Sequence, residues 1–147
     1  MHTTKNNKAL IFLKSDKGKE KDTKLNLGNV SAGFPSPADD FKELQISIDD
    51  EVVKNKEATF YARVVGESMR GAGLDNGDLL VIDRSITPEN KKIAVCFVNG
   101  EFTVKRLKVE KDCIYLIAEN PKYDPIKITE ENELIIWGIV TYVIKKL

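Results

Sequence analysis

Ser68 and Lys105 are the residues of this sequence whose types could combine into a nucleophile and its base. Ser68 lies in a polar turn within VVGESMRGAGLDNGDLLVID, residues 64–83, where glycines allow sharp changes of direction. A serine hydroxyl is a weak nucleophile and needs a base, and a neutral lysine can act as that base. The ordinary pKa of lysine is about 10.4, so burial must lower it before Lys105 accepts a proton near neutral pH. The spacing alone leaves open whether the two side chains meet.

The residues that other common catalytic, metal and phosphate-binding sites require are largely absent from this chain. His2 is the only histidine, which argues against Ser/His/Asp and Cys/His arrangements and against a histidine-rich metal site. Cys96 and Cys113 have no CxxC spacing, so we expect both to be small core residues. Phosphate-binding glycine motifs are absent, and Asp75 and Asp78 would repel a phosphate. The sequence therefore predicts no metal and no cofactor.

Short strands must position the candidate pair. Runs rich in β-branched and aromatic residues alternate with turn signals, whereas helical periodicity is scarce. The predicted strands are ATFYARVVG (58–66), DLLVID (78–83), KIAVCFV (92–98), EFTVKRLKV (101–109), CIYLIAE (113–119) and LIIWGIVTYVI (134–144). We therefore expect a mostly β fold: a single compact domain of short twisted strands and hairpins, with a flexible N-terminal arm.

The strongest hairpin signal is Asn99-Gly100, because a type I′ turn needs positive φ at both central residues. In that register Ala94 lies opposite Lys105, and a small alanine leaves room for partial burial of the lysine. One face of the hairpin is then apolar and carries Ile93, Val95, Phe97, Phe102 and Val104. The other face is mixed and carries Ala94, Cys96, Thr103 and Lys105.

The N-terminal arm differs from the rest of the chain in charge. Residues 1–32 hold seven lysines against three acids, a balance of +4, and residues 33–147 hold 16 basic and 20 acidic residues, a balance of −4. The polar stretch 14–24 is expected to be mobile, either as a solvated tail or in contact with a polyanion or an acidic partner. The apolar ALIFL (9–13) either packs on the body or on a second subunit, or forms a short edge strand.

The arm ends in a segment suited to proteolysis. In NVSAGFPSPADDF (29–41), two prolines favour an extended backbone and exclude it from a central strand. An extended backbone is the form that a protease binds. No apolar run approaches the roughly 20 residues that span a bilayer. The first apolar run, ALIFL (9–13), is not followed by the small-residue cleavage site of a signal peptide. We therefore expect a cytoplasmic protein without a signal peptide.

Five motifs in order carry a family resemblance. They are AGFPSPADDF (32–41), GESM (66–69), GLDNGDLLVID (73–83), NGEFTVKRL (99–107) and NPKYDPI (120–126). With them the chain resembles the self-cleaving Ser/Lys peptidase family of LexA and UmuD, and its UmuD-like members most closely. The resemblance implies that Ser68 is the nucleophile and Lys105 the general base. It also implies an oxyanion hole made by the Glu67 and Ser68 amides, and a cut at Ala32–Gly33.

The resemblance also implies a fold, a role and partners. The fold would be the peptidase-like domain of the family over residues 33–147, with a basic arm, 1–32, that self-cleavage removes. The role would be that of an accessory subunit of an error-prone translesion DNA polymerase in the SOS response to DNA damage. The partners would be a second copy of the chain, a Y-family (UmuC-like) polymerase and the RecA filament on single-stranded DNA. Neither a membrane nor a specific DNA sequence is an expected partner.

Two departures from the UmuD-like pattern concern the arm. It is somewhat longer and more basic, and its junction is Ala-Gly, as in LexA, rather than Cys-Gly. A small residue before the cut is kept, so the chemistry of cleavage should survive. The 32 residues before the cut are too few and too polar for the helix-turn-helix domain of LexA, so we do not expect a complete repressor.

Three alternatives stay open on the sequence. The chain could be a binding module in which Ser68 and Lys105 are relics, although both residues are present. It could be a peptidase that cuts other proteins, such as a signal peptidase, against which the missing membrane segment argues. It could also be a repressor fragment or antirepressor-type regulatory module with the same fold.

Overall fold

The computed structural model describes residues 9–13, 24–26 and 45–147. These residues form ten strands and one short helix, and two 3-10 turns cover Lys56–Ala58 and Arg70–Ala72. The strands are β1 (Leu10–Leu13), β2 (Lys24–Asn26), β3 (Gln45–Ser47), β4 (Thr59–Val64), β5 (Leu79–Asp83), β6 (Ile93–Val98), β7 (Glu101–Val109), β8 (Ile114–Ile117), β9 (Ile126–Ile128) and β10 (Leu134–Ile144), and the helix is α1 (Ile48–Val52). The expected mostly β fold is confirmed.

Eight strands form one antiparallel sheet in the order β1-β4-β5-β10-β6-β7-β8-β9, and β2 pairs with β3 separately. The hairpin of β6 and β7 has the predicted register, with Ala94 opposite Lys105. Its turn residues Asn99 and Gly100 have φ values of 48° and 83°, as a type I′ turn requires. All six strands predicted from the sequence are present, with ends shifted by at most two residues.

Both faces of the sheet are covered by apolar side chains around the β6–β7 hairpin. One buried cluster contains Val95 and Val104 together with Met69 from the loop after β4. The other contains Ala94 and Cys96 with Leu107. Lys105 lies on the face of this second cluster, so the mixed face predicted from the sequence is more buried than its composition indicates. The hairpin is therefore a rigid support for the lysine.

A bulge in β10, a central strand of the sheet, contributes Trp137 to an aromatic cluster. The register of β10 against β6 shifts at Trp137, and the indole packs edge-on against Phe60 and Phe12 at ring-centre distances of 5.0 Å. The Arg84 guanidinium lies 4.6 Å from the centre of the Trp137 ring. Gly138 is required next to it, because a Cβ there would lie 2.7 Å from Ile82.

Residues 10–13 of the arm form the edge strand of this sheet. Strand β1 pairs with β4, with Leu10 opposite Val64 and Phe12 opposite Ala62. Leu10 is buried, and the Phe12 ring contacts the aromatic cluster through Phe102 and Trp137. The two predictions made for this segment, packing on the body and an edge strand, thus describe the same contact.

Several predictions fall on other parts of the chain. The stretch 14–24, which we expect to be mobile, lies outside the described residues except for Lys24, the first residue of β2. The segment 29–41 and the expected cut at Ala32–Gly33 also lie outside them. The prediction that both cysteines belong to the core is correct for Cys96 only, because Cys113 is partly exposed beside Glu110. Among the described residues, no helix is long and apolar enough to cross a membrane.

Candidate active site

The loop that carries Ser68 begins with a glycine that turns the chain. Gly66 has a φ of 95°, a left-handed value that side chains disfavour, and its amide donates to Asn76 Oδ1 at 3.0 Å. A 3-10 turn follows at Arg70–Ala72 and ends at Gly73, which has a φ of 81°. This tight path presents Ser68 half-exposed at the surface of the sheet.

Glu119, just beyond β8, holds this loop in place. The Gly71 amide donates to the Glu119 carbonyl at 2.7 Å, and a Cβ at position 71 would come within 2.4 Å of the same oxygen. The Glu119 amide lies 3.5 Å from the sulfur of Met69, whose side chain is buried. The Glu119 carboxylate forms an ion pair with Arg106, the residue after Lys105. One residue thus links the loop of Ser68 to the strand of Lys105.

Lys105 reaches the serine from the middle of β7. Its Nζ lies 3.2 Å from Ser68 Oγ, within hydrogen-bond distance, although the two residues are 37 positions apart in the chain. The same Nζ donates to Thr103 Oγ1 at 2.9 Å and to the Val104 carbonyl at 3.1 Å. The side chain is therefore held in one orientation, directed at the serine hydroxyl. The structure brings together the two residues that the sequence selected separately.

The surroundings of Lys105 favour its neutral form. The residue is 7% exposed, and burial lowers the pKa of its amine below the usual value. Cys96 lies across the hairpin, and burial raises the pKa of its thiol to about 12. The thiol is therefore neutral near pH 7 and supplies no negative charge that would stabilise a protonated Lys105. Among the described residues, every acceptor of Lys105 Nζ is uncharged. A neutral amine at this distance can take the proton of the serine.

The structure describes some of the remaining predicted site residues and not others. Within the described residues, neither the Glu67 amide nor the Ser68 amide donates to another group. Their part in an oxyanion hole stays a prediction. Ala32 and Gly33 lie outside the described residues. The contact between Lys105 and Ser68 can activate the serine, which is one requirement of acyl transfer.

Sequence reasoning missed the residues that fix the pair. The strand pattern puts Thr103 on the face of Lys105 but does not show that its hydroxyl accepts a hydrogen bond from Nζ. Glu119 and Asn120 contact the loop from a distance that no local pattern reveals. The motif NPKYDPI, which begins at Asn120, was the only signal for this contact.

Comparison with known proteins agrees with this architecture. The Peptidase S24-like family matches residues 24–141. The chain is 39% identical over 121 residues to protein ImpA of Salmonella typhimurium, and the matched region covers 78% of each protein. It is 36% identical over 137 residues to protein MucA of the same organism, with 92% of each covered, and 41% identical over 115 residues to its protein SamA, with 78% of this chain and 79% of SamA covered. The chain therefore belongs to the Peptidase S24-like family, the family of LexA and UmuD.

Proposed function

We propose that this chain is a self-cleaving accessory subunit of an error-prone translesion DNA polymerase, active in the SOS response to DNA damage. Its Ser68/Lys105 pair cuts the Ala32–Gly33 bond when the RecA filament on single-stranded DNA stimulates it. The observation that carries the proposal is the 3.2 Å contact between Lys105 Nζ and Ser68 Oγ, formed by a buried lysine with a lowered pKa. Membership of a family of self-cleaving serine peptidases supports it.

The reaction needs one proton carrier. Neutral Lys105 takes the proton of Ser68 as Oγ attacks the carbonyl carbon of Ala32. The Glu67 and Ser68 amides bind the oxyanion that forms. When the C–N bond breaks, Lys105 gives the proton to the nitrogen of Gly33, and the arm stays on Ser68 as an ester. Lys105 then takes a proton from a water molecule as its oxygen attacks the ester, and gives that proton to Ser68 Oγ as the ester bond breaks and the arm leaves with a free carboxyl end.

The substrate belongs to the same molecule or to its dimer partner. Either arrangement gives the bond a high local concentration at the serine, so a weakly activated pair can still cut it. The rate is then controlled by whether the bond reaches Ser68. RecA acts, in this proposal, by favouring that docked state rather than by supplying a catalytic group.

Release of the arm would change the surface of the body. Strand β1 covers the edge of β4, and its Phe12 covers Phe102 and Trp137. After the cut, Leu10–Leu13 of β1 have no covalent link to the body and are held by their pairing with β4. The edge of β4 and the aromatic cluster then become available to a partner. The polymerase, in this proposal, binds the processed dimer better than the uncut one.

Self-cleavage of the purified protein tests the proposal. Full-length wild type, Ser68→Ala and Lys105→Ala are incubated with RecA, ATP and single-stranded DNA, and the products are weighed by mass spectrometry. The wild type should yield residues 1–32 and 33–147, whereas either variant should cut at least about 10⁴-fold more slowly, because a two-residue unit fails with either member. Gly33→Glu should also block the cut by placing a bulky charge beside the carbonyl.

Three outcomes would contradict the proposal. Cutting that persists in Ser68→Ala would exclude the serine as the nucleophile. Normal processing of Gly33→Glu would place the cut at another bond. Equal capture of a Y-family polymerase by the processed protein and by uncut Ser68→Ala, at matched salt, would show that the arm does not regulate binding.

A further inference from the structure

Asn120 contacts the peptide group that joins Glu67 to Ser68. Its Nδ2 donates to the Glu67 carbonyl at 2.9 Å, across 53 positions of the chain. At the other end of the same amide, Oδ1 accepts from the Lys122 amide at 3.0 Å and closes a turn. The turn thus fixes the side chain, and the side chain in turn holds the loop of the serine.

A hydrogen bond to a carbonyl also orients the amide of the same peptide. The peptide group is planar and trans, so the Glu67 C=O and the Ser68 N–H point in opposite directions. Holding the Glu67 oxygen toward Asn120 therefore aims the Ser68 N–H away from it. Glu67 itself is exposed, so packing contributes little to fixing this plane. The other donor to the Glu67 oxygen is the Arg70 amide at 3.2 Å, which belongs to the same loop and moves with it.

We propose that Asn120 is a positioning residue for self-cleavage, whose Nδ2 fixes the Glu67–Ser68 peptide plane so that the Ser68 N–H points to the forming oxyanion. The inference rests on the proposed function, because it assigns an aim to one donor of the proposed oxyanion hole. Neighbouring Glu119 anchors the loop through Met69 and Gly71, which sets the position of the loop but not the tilt of this peptide. Asn120 supplies the tilt.

A pair of substitutions separates the donor from the turn. Asn120→Asp keeps an oxygen that can accept from Lys122 but loses the Nδ2 donor, whereas Asn120→Ala loses both. The matched control is Asn132→Asp, at another partly exposed asparagine whose Oδ1 accepts from the Thr129 amide at 3.0 Å. The control introduces the same change of charge, keeps its turn and lies outside the site.

Two rates are measured on full-length protein, per folded molecule. The first is self-cleavage over a range of alkaline pH, and the second is labelling of Ser68 by a fluorophosphonate, whose phosphoryl oxygen also needs the oxyanion donors. Both Asn120 variants should lower the plateau of each rate about tenfold or more, a part of the 10²- to 10³-fold that loss of an oxyanion donor costs. The pH midpoint of Asn120→Ala should stay at the wild-type value, because Lys105 is untouched. Asn132→Asp should react like the wild type.

The outcomes separate this inference from the proposed function. Wild-type rates in Asn120→Asp, with a loss only in Asn120→Ala, would overturn the inference, since the turn and not the donor would then matter. Unchanged labelling with slow self-cleavage would also overturn it, because docking of the cut segment would be the step affected. Self-cleavage that survives Ser68→Ala would contradict the proposed function itself, whatever the Asn120 variants do.

Discussion

Among the described residues, Lys105 makes three side-chain hydrogen bonds and Lys145 makes two, yet the pKa values of the two lysines move in opposite directions. Lys105 is buried, and among the described residues its Nζ contacts only uncharged oxygens, so desolvation lowers its pKa. Lys145 has a side chain that is 38% exposed and contacts the carboxylates of Asp75 and Asp78, so these hydrogen bonds raise its pKa. The charge of the acceptors and the access of water, rather than the number of hydrogen bonds, decide whether a lysine can serve as a base.

A carboxylate placed beside Lys105 should make this amine behave like that of Lys145, and this is the largest expected effect. Thr103→Asp places one within reach of Nζ, where Thr103 Oγ1 now accepts at 2.9 Å. The carboxylate favours the charged amine and raises the pKa of Lys105, so less neutral base is present at pH 7 to 8. Self-cleavage at that pH should fall at least about tenfold and recover as the pH rises, as measured by a pH–rate profile.

Thr103→Asn is the control for this change, because asparagine has nearly the shape of aspartate without its charge. Its profile should keep the wild-type midpoint. If both variants are slowed equally and neither midpoint moves, the geometry of the acceptor and not the charge governs Lys105.

The sequence allowed much of this site to be predicted, for a local reason. Asn99-Gly100 fixes a two-residue turn, and the turn fixes the face on which Lys105 lies. The glycine at position 66 likewise marks the turn before Ser68. Such features depend on neighbours in the chain, so a single sequence is enough to read them.

The contacts that complete the site depend on distant segments. The 3.2 Å approach of Lys105 to Ser68, and the contacts of Glu119 and Asn120 with the loop of Ser68, join residues 37 to 53 positions apart. Strands β2, β3 and β9, of three residues each, were missed because they are too short to show alternation. Burial of Cys96 and Lys105 on one face arises from packing across the sheet, which composition does not reveal.

The buried amine of Lys105 should also lower the stability of the fold. Below its lowered pKa, Lys105 is protonated in the folded state and buried, which destabilises the fold. As the pH rises from that value toward the ordinary 10.5, the folded state binds fewer protons than the unfolded state, and this cost disappears. Lys105→Met should therefore raise the free energy of unfolding by about 0.5–2 kcal/mol at neutral pH, and less at alkaline pH.

Urea unfolding in a Ser68→Ala background measures this difference, since neither protein then cuts itself. A neutral-pH stability that is equal or lower in the methionine variant would show that the amine is not destabilising where it lies. A gain that persists unchanged at the highest pH would assign it to packing rather than to the charge.

The smallest effect is expected at the other lysine. Burial alone would raise the pKa of Asp78, but hydrogen bonds from Lys145 and from the Asp75 amide lower it. A carboxyl with a lowered pKa stabilises the fold above its unfolded value of 3.8, and this contribution is lost as the pH falls through the folded pKa. Lys145→Ala should therefore lower the midpoint of thermal unfolding at pH 7 by less than about 4 °C, because exposed ion pairs contribute little.

The difference in unfolding midpoint between Lys145→Ala and the wild type should become smaller as the pH falls below 3.8. The control is Lys146→Ala, which removes a lysine without an ion pair among the described residues and should leave the unfolding midpoint unchanged. Self-cleavage should keep its wild-type rate in both variants, because Lys105 is the lysine whose Nζ contacts Ser68 Oγ. The raised pKa of Lys145 also keeps that amine charged, so it takes no proton from the serine. A rate lowered more than about fivefold in Lys145→Ala would show that its partners Asp75 and Asp78, which follow the loop of Ser68, transmit the loss to the site. Both lysines would then contribute to self-cleavage, and the burial of Lys105 alone would no longer explain its activity as a base.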